Sequence, residues 1–176
     1  MTPLFLLLGL VVLSAAALLR SQSNAAQLSR SSWEDLIAKL QPVTTTGIIA
    51  VAREYLNPVK GQIDTEPEEL WERIGGIEGL ERMRANADVL LALAAYAERW
   101  NRVESRIVGE RMRRDGLALR RAVRYITLST YLGVGRARAA FHVHEAASAY
   151  YLMRQRLLAL YETSHAARMP ALSAAV

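Results

Sequence analysis

The chain has 176 residues, 52% of them apolar and 22% charged, with a net charge of +5 and a mean hydropathy of +0.08. That balance excludes a largely disordered chain and a multi-pass membrane protein. The lack of any cysteine excludes disulfide scaffolds, thiolate catalysis and cysteine zinc sites, leaving three histidines for metal or acid–base chemistry.

Residues 3–19 are uncharged and almost wholly apolar, and the first charge is Arg20. Seventeen helical residues give about 25 Å, near the lower limit for a bilayer core of about 30 Å. The expectation is a transmembrane anchor over 1–22, with membrane lipid as its partner through 3–19, followed by a polar linker over 23–30. A cleaved signal peptide is the rival reading. Small residues at Ala15–Ala17 and at Asn24-Ala25-Ala26 suit a peptidase, but no basic side chain precedes the apolar run. Arg20, Arg30 and Lys39 follow the run and none precedes it, which places the body in the cytoplasm.

Helical periodicity then dominates. Ser31 or Ser32 is placed to cap a short helix over 33–40, with Trp33, Leu36, Ile37 and Leu40 on one side and Pro42 ending it. Thr44 or Thr45 opens a second helix to Leu56, although the β-branched run 43–49 also reads as a strand without a partner. After a loop over 57–65, Thr65 and Glu68 have capping-box spacing for a third helix over 67–74, ended by Gly75-Gly76. Leu80, Met83, Ala87, Leu90, Ala94 and Ala97 mark one face of the next stretch. Val108, Met112, Gly116, Leu119, Val123, Ile126 and Thr130 mark another. Residues 77–131 therefore form one long helix, or two with a bend near Trp100-Asn101. Leu132 to Gly135 interrupts the pattern, and a last helix over 138–165 buries Val143, Ala146, Ala147, Tyr150, Met153, Leu157 and Leu160. Residues 167–176, which contain Pro170, read as a flexible tail. The fold class is all-α: a single N-terminal transmembrane helix, then an irregular bundle over 31–166 of two or three long helices with short helices across them.

Charge is segregated. Residues 64–104 carry ten acids and five bases, whereas 105–138 carry nine arginines and two acids. Arg106, Arg113, Arg120 and Arg124 share a stripe on a continuous helix. The simplest reading is that the acidic and basic segments are adjacent antiparallel helices whose charges pair, or that the stripe is merely solvated. The functional readings are contact with anionic lipid or with an acidic protein through segment 106–138. Nucleic acid is disfavoured, because Tyr125 and Tyr131 are the only aromatic residues in the block.

Catalytic motifs are lacking. His142 and His144 flank Val143 and precede Glu145, but on a helix the two imidazoles diverge by about 200°. Glu162 and His165 match the Glu-x-x-His spacing of di-iron bundles, without the second copy and further glutamates such a site needs. These four residues are weak metal candidates, and no cofactor is implied. Leu132-Gly133-Val134-Gly135-Arg136 lacks the Lys-Ser/Thr of a phosphate loop. The expected function is a membrane-anchored interaction or scaffolding protein. The alternative is an exported helical ligand- or metal-binding protein or small enzyme.

Overall fold

The computed structural model describes residues 28, 30–58, 65–97, 102–133, 136–164 and 168–176, with the backbone alone at 102–104, 136–138 and 164. Among these residues all regular structure is helical: α1 (Trp33–Ala38), α2 (Thr45–Leu56), α3 (Pro67–Ile74), α4 (Gly76–Ala97), α5 (Arg102–Tyr131), α6 (Arg136–Ser164) and α7 (Met169–Ala175). The expected anchor over 3–19 lies outside them. No helix within them is long and apolar enough to cross a membrane.

The stretch 77–131 resolves into two helices that double back on each other. Asp88 meets Arg120, and Leu91 lies against Gly116, so α4 and α5 run antiparallel. Asp115 pairs with Arg156 and Tyr125 stacks near His142, so α5 and α6 are antiparallel too. Asn86 bonds Tyr150 and Leu93 bonds Tyr161, which makes α4 and α6 parallel. The centre is thus an up-down-up triple of long helices. Its core is Met83, Leu90 and Leu93 of α4, Met112, Leu119 and Ile126 of α5, and Val143, Met153 and Leu157 of α6, all fully buried. Buried Ala87, Ala94, Ala122, Ala146 and Ala147 let the axes approach. Each fully buried large aliphatic side chain contributes about 1.5–3 kcal/mol relative to exposure, so the core positions decide the packing.

The short helices cover this triple. α1 packs on α4, α2 and α3 pack on α6, and α7 closes on the end of α6. Ser32 caps α1: the Asp35 amide donates to Ser32 Oγ at 3.1 Å, and the Ser32 amide donates to the Asp35 carboxylate at 3.3 Å. Those bonds hold the Asp35 carboxyl below its ordinary range. Asn86 straps the α1–α2 connection to α4. Its side-chain oxygen accepts from the Gln41 amide and its nitrogen donates to the Gln41 carbonyl, both at 2.8 Å.

Two local expectations are corrected, and at 43–49 the expected helix stands against its strand alternative. Thr65 does not cap α3. Its amide and hydroxyl donate to the Glu54 carboxylate at 2.8 and 2.5 Å, charge-assisted bonds that outcompete a neutral cap, while Pro67 removes one of the amides needing a cap. Segment 43–49 is not a strand, since α2 begins at Thr45 and buries Ile48, Val51 and Ala52. Residues 169–175 form α7 rather than a frayed tail. Pro170 sits in the first turn, where proline is tolerated, Leu172 is fully buried, and the Arg168 guanidinium lies 5.4 Å from the Trp33 ring and 5.5 Å from the Tyr96 ring.

Candidate functional site

α5 buries Met112, Leu119, Val123 and Ile126 along one face, which fixes the opposite face toward solvent. That outer face is not simply polar. Ile107 and Leu117 are each 55% exposed, Leu128 60% and Tyr131 91%. Arg114, Arg121 and Arg124 are interleaved with them and also exposed. At 100° per residue these seven side chains fall within an arc of about 120°, and from Ile107 to Tyr131 the stripe is about 36 Å long. Leu132, just beyond the helix, and Phe141 at the start of α6 extend the apolar character at the α5–α6 end.

The electrostatics of this face follow from where the acids go. Glu69 pairs with Arg73 within α3, and Glu78 with Arg82 and Glu81 with Arg84 within α4, at 2.5–2.6 Å. Only Asp88 crosses from α4 to α5 among the described residues, to Arg120. Within α5, Glu110 serves Arg113 at 3.3 Å and Arg114 at 3.7 Å. Asp115 is taken by Arg156 of α6, whose pKa is lowered by burial and by nearby Arg111. No described carboxylate pairs with Arg106, Arg111, Arg121 or Arg124. Of the stripe read from the sequence, Arg113 and Arg120 are therefore paired, while Arg106 and Arg124 have no carboxylate partner among the described residues. The expected broad pairing of the two charge fields reduces, among the described residues, to one bridge.

Beside the stripe, a cavity of about 390 Å³ opens between the start of α4 and the end of α5. Arg84, Arg124, Val123, Thr127, Leu128 and Tyr131 contribute to its walls.

The weak metal candidates do not converge. His142 Nδ1 lies 3.2 Å from Glu145 Oε2, and its ring lies 3.9 Å from that of Tyr125. His144 points the other way and is buried. Its Nδ1 donates to the Val51 carbonyl at 3.3 Å, and its ring stacks on Tyr55 at 5.9 Å. Glu162 is exposed at the end of α6, and His165 lies outside the described residues. No group of three potential ligands occurs among the described residues.

Two buried tyrosines of α6 hydrogen-bond to α4. Tyr150 receives a 3.1 Å bond from Asn86, and burial raises its pKa. Tyr161 donates to the Leu93 carbonyl at 3.0 Å, and burial pushes its phenol up to about 12. Arg154 is buried with Nε and Nη1 lacking hydrogen-bond partners, and desolvation lowers its pKa.

Comparisons with family models, with curated proteins and with solved structures find no match to this chain. The reading of its surface therefore stands on its own residues. The exposed apolar half of the stripe, Ile107, Leu117 and Leu128, is not among the features the sequence pattern singles out. The available signal was their phase, since they fall opposite Met112, Leu119 and Ile126.

Proposed function

We propose that this protein is a membrane-anchored interaction module, in which residues 3–19 hold the chain in the bilayer and the cytoplasmic helical bundle presents the outer face of α5 as its contact surface. One observation carries the reading: a stripe of exposed Ile, Leu and Tyr interleaved with Arg114, Arg121 and Arg124, of which Arg121 and Arg124 pair with no described carboxylate. Exposed apolar side chains gathered on one helix face mark interaction sites, since leaving them in water forfeits the free energy of their burial. Tethering supplies the mechanism, because confinement raises the local concentration of the bundle near its partners without any new contact. The anchor half rests on the uncharged run 3–19, and the orientation on Arg20, Arg30 and Lys39 following it.

Replacing Leu7 and Val11 together by arginine places two charges in the run, each costing about 2.5–3.5 kcal/mol at the centre of a spanning helix. The double variant is expected in the soluble fraction after alkaline washing, with the parent chain retained in the membrane. Retention of the variant, or a mature parent chain starting near Gln27, overturns the anchored reading.

A further inference from the structure

We infer that the outer face of α5 lies flat against an anionic phospholipid surface. This deepens the anchored reading above and rests on it.

The shape of the face argues for a broad, yielding partner. Between Ile107 and Arg121 the stripe follows the ridge of one helix, and the 390 Å³ cavity touches only its far end, at Val123 to Tyr131. Protein hot spots seat large anchors in preformed pockets, whereas a bilayer surface accepts isolated Leu and Tyr between headgroups without one. The chemistry fits the same partner. Arg114, Arg121 and Arg124 alternate with Leu117, Leu128 and Tyr131, so guanidinium groups meet phosphates while the apolar side chains enter the headgroup–acyl boundary. Tyrosine favours that boundary because it joins an apolar ring to a polar tip.

Charge excludes the obvious alternative of a second copy through the same face. A symmetric contact would bring Arg114, Arg121 and Arg124 of one chain against the same face of another, where the nearby described acids Glu110, Glu81 and Asp88 are already engaged by Arg113 and Arg114, by Arg84 and by Arg120. An anionic surface supplies the missing counter-charge.

Trp33 of α1 packs on Tyr161 near the end of α6, and Tyr161 bonds Leu93 near the end of α4. That is the end at which α5 starts, so α1 joins the bundle at one end of the stripe.

The test uses the full chain reconstituted in vesicles of phosphatidylcholine alone or mixed with phosphatidylserine. The chain has no cysteine, so Leu117→Cys supplies a unique thiol for an environment-sensitive fluorophore. Glu72→Cys on α3, which packs on α2, α4 and α6, gives an exposed control. The position 117 label is expected to shift to the blue and be quenched by lipid-borne quenchers only in the anionic vesicles, while the position 72 label is unchanged. Added salt reverses the effect. Each arginine at an anionic surface is worth about a fivefold change in the docking equilibrium, so Arg121→Gln with Arg124→Gln is expected to lower it about thirtyfold. The paired Lys variants retain docking and show that charge, not fold, is read.

If the chain floats with the vesicles but the position 117 label stays equally exposed on both lipids, the inference falls and the anchored reading stands. Equal shielding on neutral vesicles overturns it too. Shielding that rises with protein density points to a second copy, and shielding only on adding polyglutamate points to an acidic protein; both overturn it. Failure of the chain to float with either vesicle overturns the anchored reading itself.

Discussion

Two helical glycines should respond in opposite directions to the same added methyl. Gly47 lies in the first turn of α2, beneath α3. A Cβ built there sits 1.9 Å from the Arg73 carbonyl oxygen, 2.7 Å from its carbonyl carbon and 3.1 Å from its Cα. These are backbone atoms, so no rotamer change relieves them. Restoring ordinary contact requires the two helices to part by about 1.5 Å. Leu70, Trp71 and Ile74 hold α3 to the core, and parting would strip their contacts. Overpacking of this kind costs about 1–3 kcal/mol, against at most about 1 kcal/mol gained from replacing glycine by alanine in a helix. Gly47→Ala is therefore expected to destabilise by about 1–2 kcal/mol net. Gly116 sits where the three long helices meet, and its Cβ would lie 3.6 Å from Leu91 Cδ1 and from Met153 Cε, both flexible tips at ordinary contact distance. Gly116→Ala should then keep the propensity gain and stabilise by up to about 1 kcal/mol. Urea unfolding of the purified chain, followed by far-UV circular dichroism, reads both as midpoint shifts at constant slope. A raised midpoint for Gly47→Ala, or equal losses for the two variants, would refute the close α2–α3 crossing.

Asn86→Ala removes both bonds to Gln41 and orphans the buried Tyr150 hydroxyl; it should cost roughly 2 kcal/mol. In a double-mutant cycle, Tyr150→Phe in the Asn86→Ala background should cost less than Tyr150→Phe alone, and strict additivity counts against the bond. Tyr161 gives a pH signature. Its phenol ordinarily ionises at 10.0 and is raised to about 12 in the fold, so its contribution is complete below pH 10 and is lost as pH rises toward 12. Stability measured across that window should fall less steeply in Tyr161→Phe; an identical alkaline slope would show that the phenol titrates freely.

The legible parts of the fold are those set by long apolar periodicity. All six positions read on α4 and all seven read on α6 are buried, because a stripe sustained over five or more turns leaves one way to face a core. The helix boundary at 97–102 was ambiguous because no proline or glycine marks it. The cap of α3 was misread because a distant carboxylate, Glu54, competes for Thr65, and such tertiary competition has no local signal. α7 was missed for a related reason: Pro170 reads as a terminator in isolation, and only burial of Leu172 and the stacking of Arg168 make the segment ordered. On α5 the arginine stripe was visible but its partners were not. The exposed leucines carry little signal in the sequence, because single apolar residues opposite a buried stripe resemble ordinary surface.

Which arginines stay unneutralised was nonetheless written in the local spacing. An acid three or four residues before a base on a helix pairs with it readily, since both side chains already share a face and the order suits the helix dipole. Glu69, Glu78 and Glu81 each have such a base ahead, at Arg73, Arg82 and Arg84, and each pairs with it. Asp88 is followed at those positions by Leu91 and Ala92, so it remains available and reaches across to Arg120. Arg121 is preceded at three and four by Ala118 and Leu117, and Arg124 by Arg121 and Arg120, so neither has an acid of its own. Net opposite charge on neighbouring helices therefore does not produce mutual neutralisation. Local pairs engage Glu78 and Glu81 of α4 and only Asp88 reaches α5, leaving the counter-charge for the end of α5 to come from outside the described helices.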